Sequence, residues 1–117
     1  MTIHAKNTFT PVIFTPDSEK DSDDPTTFTL KPLNGLEYMQ VLNNTTIDDN
    51  GVTKLSATGL ELALRHGLTG ANNLIGENGK PITLNRFTMK TLSAVLLIEI
   101  ANAILEASEI DGEERKN

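Results

Sequence analysis

The sequence predicts an α+β fold, in which an N-terminal β-hairpin of two short strands precedes about three α-helices, the C-terminal one longest. Three observations carry this. Two short runs rich in β-branched and aromatic residues, 9–15 (FTPVIFT) and 26–30 (TTFTL), flank a stretch dense in Pro and Asp. Beyond Pro32, capping residues and glycines bracket apolar runs at helical spacing. The last of these runs is also the longest. The chain of 117 residues reads as a single domain, 1–117, with the hairpin in 1–30, a helical part in 34–109 and a charged tail in 110–117.

Taken in order, the first strand runs from Phe9 to Thr15, and Pro11, which lacks a donor N–H, favours an edge position. The second, Thr26 to Leu30, alternates Thr with Phe or Leu, the period-two signature of a half-buried strand. Between them, Pro16–Pro25 (PDSEKDSDDP) holds five acids and one Lys and reads as a solvated acidic loop. Asp17, Glu19, Asp21 and Asp23 alternate as calcium ligands can. The central Gly and distal Glu of an EF-hand loop are absent, which favours the plain loop.

Asn34 and Glu37 have the spacing of a capping box and open a short helix to about Leu42, with Leu36, Met39 and Val41 or Leu42 facing inward. Asp48-Asp49-Asn50-Gly51 is turn chemistry, and a hairpin of Thr45–Asp48 with Val52–Leu55 fits around it. Thr58 and Glu61 frame the start of a second helix. Gly67 terminates it in a left-handed conformation, and Thr69 to Asn73 adds one more turn. Gly76 to Pro81 is a loop. The third helix extends from about Phe87 or Thr88 to Glu109, where Asp111-Gly112 stops it. Glu99, Asn102, Glu106 and Glu109 form one narrow polar stripe on a helix that is otherwise apolar or small. So much apolar circumference needs covering from several sides. The chain itself, a second copy or a partner helix must supply the cover.

Composition excludes more than it assigns. The formal net charge is −6 and the pI about 4.8, which argues against duplex DNA or an anionic membrane as partner. With no Cys there are no disulfides, thiolate metal sites or cysteine nucleophiles. Met1 to Asn7 carry no signal-peptide pattern. The apolar run Ala94–Leu105 spans roughly 18 Å as a helix, short of a bilayer core of about 30 Å. The expected location is therefore the cytoplasm.

No catalytic site can be assembled from these letters. His4 lies near the N-terminus, and His66 sits beside Arg65 at a helix C-terminus, where a cation complements the dipole. No serine lies in a G-x-S-x-G elbow, and Gly76-Glu-Asn-Gly79-Lys80 matches no phosphate-binding loop. The expectation is a non-enzymatic interaction protein without cofactor or metal.

The order of segments adds a resemblance. Phe28-Thr-Leu-Lys-Pro-Leu33, the stretch Gly59–Gly70 (GLELALRHGLTG), a loop, Leu97–Ile104 (LIEIANAI) and the ending Glu113–Asn117 together resemble the tail assembly chaperones of long-tailed bacteriophages, in their short form. The likeness covers most of 26–117 and rests on loose patterns. It implies a protein of the host cell cytoplasm that binds and solubilises the tape measure protein, helps recruit the tail tube protein, and is absent from the mature virion. It also implies a possible homo-oligomer or a longer form made by ribosomal frameshifting, for which Arg115-Lys116-Asn117 can be encoded as a slippery run. Under that reading the client or self-association surface lies on the third helix, at Leu92, Leu96, Leu97, Ile100, Ala103, Ile104 and Leu105. Two other readings remain at this stage. One is a virion structural component such as a tail or head-completion protein, and the other an acidic inhibitor that mimics nucleic acid.

Overall fold

A computed structural model describes residues 10–85 and 89–116. Strand β1 (Val12–Phe14) pairs antiparallel with β2 (Thr27–Leu30), with Val12 opposite Leu30 and Phe14 opposite Phe28. The alternation read in β2 is real. Phe28 and Leu30 are 1% exposed, while Thr27 and Thr29 lie on the other face, only partly covered. The proposed strand start at Phe9, together with His4, lies outside the described residues.

The hairpin is part of a larger sheet. The stretch from Thr69 to Asn73, expected as an extra helical turn, falls almost wholly in β5 (Leu68–Asn72), which pairs antiparallel with β2 and gives the order β1-β2-β5. The cause is tertiary. A two-stranded sheet would leave the second edge of β2 without partners, and β5 supplies them. Thr69 Oγ1 donates to the Thr29 carbonyl at 3.1 Å beside this ladder. Gly67 does not adopt the left-handed conformation expected of it, for Gly51 and Gly79 are the described glycines with positive φ. The second helix, α2 (Ala57–Gly67), passes straight into β5 through an extended Leu68. A Cβ on Gly67 would lie 2.5 Å from Ile104 Cγ2, so this glycine is small because the C-terminal helix packs directly on it.

Helix α1 (Gly35–Leu42) has the capping box read from its letters: Asn34 Oδ1 accepts from the Glu37 amide at 2.8 Å, and Glu37 Oε1 accepts from the Asn34 amide at 3.0 Å. Its inward face is a correction. Val41 is fully buried and Tyr38 packs on the core, whereas Leu36 and Met39 are 76% and 64% exposed. Glu37 is the reason. It reaches back to the cap, to Lys31 Nζ at 3.4 Å and to His66 Nδ1 at 3.1 Å, which turns its own side of the helix toward the body. An eight-residue helix can bury only one side.

The second hairpin, β3 (Thr45–Ile47) with β4 (Thr53–Leu55), closes through Asp48, whose Oδ1 accepts from the amides of Asn50 and Val52, both at 2.9 Å. The N-cap of α2 is Ser56, two residues before the expected Thr58. Its hydroxyl accepts from the Gly59 amide at 3.1 Å and donates to the Asn44 carbonyl at 2.8 Å, so the cap and the hairpin hold each other. Glu61 pairs with Arg65 instead, at 3.0 Å.

The third helix, α3 (Ala94–Lys116), is the longest. It starts later than expected, after Ser93, whose Oγ accepts from the Leu96 amide at 3.2 Å; Phe87 and Thr88 lie outside the described residues. It also continues through Asp111-Gly112, since one helical glycine costs only about 1 kcal/mol and does not stop a helix by itself. Ile100, Ala101 and Ile104 are fully enclosed, and with Phe28, Leu30, Leu33, Val41, Ala63, Leu64 and Leu68 they make the core. Burying each large side chain here contributes about 1.5–3 kcal/mol. Ser108, 7% exposed, donates to the Ile104 carbonyl at 2.7 Å and accepts from the Leu33 amide at 2.8 Å, tying the chain before α1 to α3.

Candidate functional site

The acidic loop is fastened to the body at both ends. Pro16 is buried, and the Asp17 amide donates to Glu99 Oε2 on α3 at 3.0 Å. Glu19 Oε1 accepts from the Thr26 amide at 3.0 Å, and Asn73 Nδ2 donates to the Asp24 carbonyl at 2.6 Å. The loop is solvated, as expected, and its backbone is in addition pinned to the body. The carboxylates of Asp17, Asp21, Asp23 and Asp24 still face solvent. The Asp17 carboxylate hydrogen-bonds Lys20 Nζ at 2.7 Å and holds that ammonium above its ordinary pKa. Among the described residues no three His, Asp or Glu side chains converge as metal ligands. No described helix is long and apolar enough to cross a membrane.

The residues expected to meet a partner divide into three groups. Ile100 and Ile104 are fully buried, so in this structure they serve the core and are not available as a surface. Leu92, Ala103 and Leu105 are partly covered and pack against that core. Leu96 and Leu97 are also partly covered, but each lines a surface recess.

The recess at Leu97 is a groove of about 450 Å³ between α2 and the first turns of α3. Leu60 and Leu64 form the α2 wall, Ala94, Leu97 and Ile98 the α3 wall, and Met89 also lines it. Its lining is apolar apart from Glu61 and Lys90 at the rim. Beside it, Val95 is 79% exposed and Ile98 45%. Val95 itself lines a second recess, of about 530 Å³, together with Leu96, Ser93, Ser18, Asp17 and Glu99.

The letters did contain a signal for this arrangement. Followed toward the N-terminus, the polar stripe of Glu99, Asn102 and Glu106 lands on Val95 and Ile98, so the outward side of α3 turns from polar to apolar in its first two turns. Helical spacing alone identifies those positions as outward. The α2 wall has no comparable signal, because which leucines of α2 flank the groove depends on how α2 is set against α3. A pocket of this kind, apolar with charge confined to its rim, can hold apolar side chains from another molecule. Compared with protein-family models, with curated proteins and with solved structures, the chain matches none.

Proposed function

We propose that this chain is a carrier for an apolar helical segment, and specifically a tail assembly chaperone of a long-tailed bacteriophage. In this reading it binds the tape measure protein in the host cytoplasm, keeps it soluble, helps recruit tail tube subunits, and leaves before the particle is finished. The observation that carries the reading is the open apolar groove between α2 and α3, continued onto exposed Val95 and Ile98, on a chain of net charge −6. A carrier needs both properties. The groove takes apolar side chains that would otherwise associate with one another, each worth about 1.5–3 kcal/mol on full burial, while the net charge keeps the loaded carrier in solution. The order of segments that resembles those chaperones supplies the identity of the client.

The test is co-expression with the tape measure protein of the same genome. The wild-type chain keeps that client in the soluble fraction and co-purifies with it, and Val95→Glu/Ile98→Glu loses the client while keeping its circular dichroism. A wild-type chain that fails to hold the client removes the reading. Recovery of the chain from purified virions favours the structural component instead.

A further inference from the structure

We infer that the segment seated in the α2/α3 groove is an amphipathic helix carrying lysine or arginine along the flank that faces the acidic loop. This rests on the carrier reading above and adds the charge and the orientation of what is carried.

The groove runs between two helices, and a third helix laid there places apolar anchors at i, i+3 or i+4 and i+7. The two margins of the groove differ in charge. On the α2 side, Glu61 is paired with Arg65; Lys90, in the turn before α3, also lines the groove. On the other side Val95 lines the second recess together with Glu99 and Asp17, the latter paired with Lys20, and the rest of the pinned loop follows Asp17 in the chain. Residues 16–25 carry five carboxylates and one ammonium, a net −4 out of the −6 of the whole chain. The loop is anchored to α3 through the Asp17 amide, so this charge stands at a fixed place beside the apolar surface. Cationic side chains on one flank of an incoming helix meet it, and the opposite flank, beside the internally paired Glu61 and Arg65, gains nothing from added cations. Charge asymmetry across the groove thereby selects the direction in which the helix lies.

A second copy of this chain is a poor occupant. It brings another net −6 toward the acidic margin. Its own exposed apolar helix face, Leu36, Met39 and Leu42 on α1, has no lysine or arginine between Gly35 and Leu42.

The experiment uses the full chain and two synthetic helical peptides that share one Leu/Ile stripe, one with lysines along a flank and the other with glutamates at those positions. Binding is followed by fluorescence anisotropy at low and at high salt. The lysine peptide is expected to bind about tenfold tighter at low salt, with the difference shrinking as salt screens it. In Asp21→Lys/Asp23→Lys, where two exposed loop carboxylates are reversed and the anchors at Asp17, Glu19 and Asp24 are kept, the preference disappears or inverts. In Val95→Glu/Ile98→Glu neither peptide binds.

Equal affinity of the wild-type chain for both peptides, or a preference that survives in the loop variant, overturns the charge assignment and leaves the apolar carrier standing. A wild-type chain that binds neither peptide also overturns it. Undiminished binding of both peptides to the groove variant removes the carrier reading itself. A dimer seen in sedimentation that the groove variant dissolves puts a second copy in the groove and overturns the inference.

Discussion

The inner and outer faces of α3 are made of the same kinds of residue and do different work. Ile100, Ala101 and Ile104 look inward and are completely enclosed, while Val95 and Ile98, a turn or two earlier, look outward beside an apolar groove. Hydropathy alone does not separate the two sets, because both are aliphatic. Position relative to the Glu99–Asn102–Glu106 stripe does separate them. Apolar residues opposite the stripe hold the fold, and apolar residues that continue it are available to something else.

The comparison can be broken most forcefully from the inside. Ile104→Ala removes a side chain that fills the space above Gly67, and about 2–5 kcal/mol of stability should be lost, read from the midpoint of urea unfolding. A loss below 1 kcal/mol means that the inner face is not the core described here. Next comes Ser108→Ala, which leaves the buried Leu33 amide without its acceptor. The expected cost is about 1–3 kcal/mol, with faster exchange of that amide hydrogen. The smallest effect belongs to the outer face. Val95→Glu/Ile98→Glu should change stability by less than about 1 kcal/mol in the same urea experiment, since Val95 is 79% exposed and Ile98 only about half covered in the free chain. A large loss there would erase the distinction between the faces.

Much of the frame was legible. The alternation of β2, the Asn34/Glu37 box, the turn at Asp48–Gly51 and the C-terminal helix being the longest all follow from local chemistry, and the structure has each of them. β5 was not legible, because Leu-Thr-Gly-Ala-Asn has little strand character of its own and becomes a strand when β2 offers it an edge. The inward side of α1 was missed for a related reason. Its choice is made by Lys31 and His66, which gather around Glu37 only in the folded chain. Ser56 displaced Thr58 as the cap because Asn44, from the neighbouring hairpin, gives the serine hydroxyl a second bond. Of the site, one wall could be found by extending a stripe along α3. The other wall needed the packing of α2.

The direct passage from α2 into β5 has a mechanical consequence. With no linker between Gly67 and Leu68, and with the Lys31 amide donating to the Gly67 carbonyl at 2.7 Å, the leucine wall of the groove is rigidly coupled to the three-stranded sheet. That wall has no slack of its own. The sheet therefore sets where one jaw of the groove stands, and the opening turns of α3 supply the other.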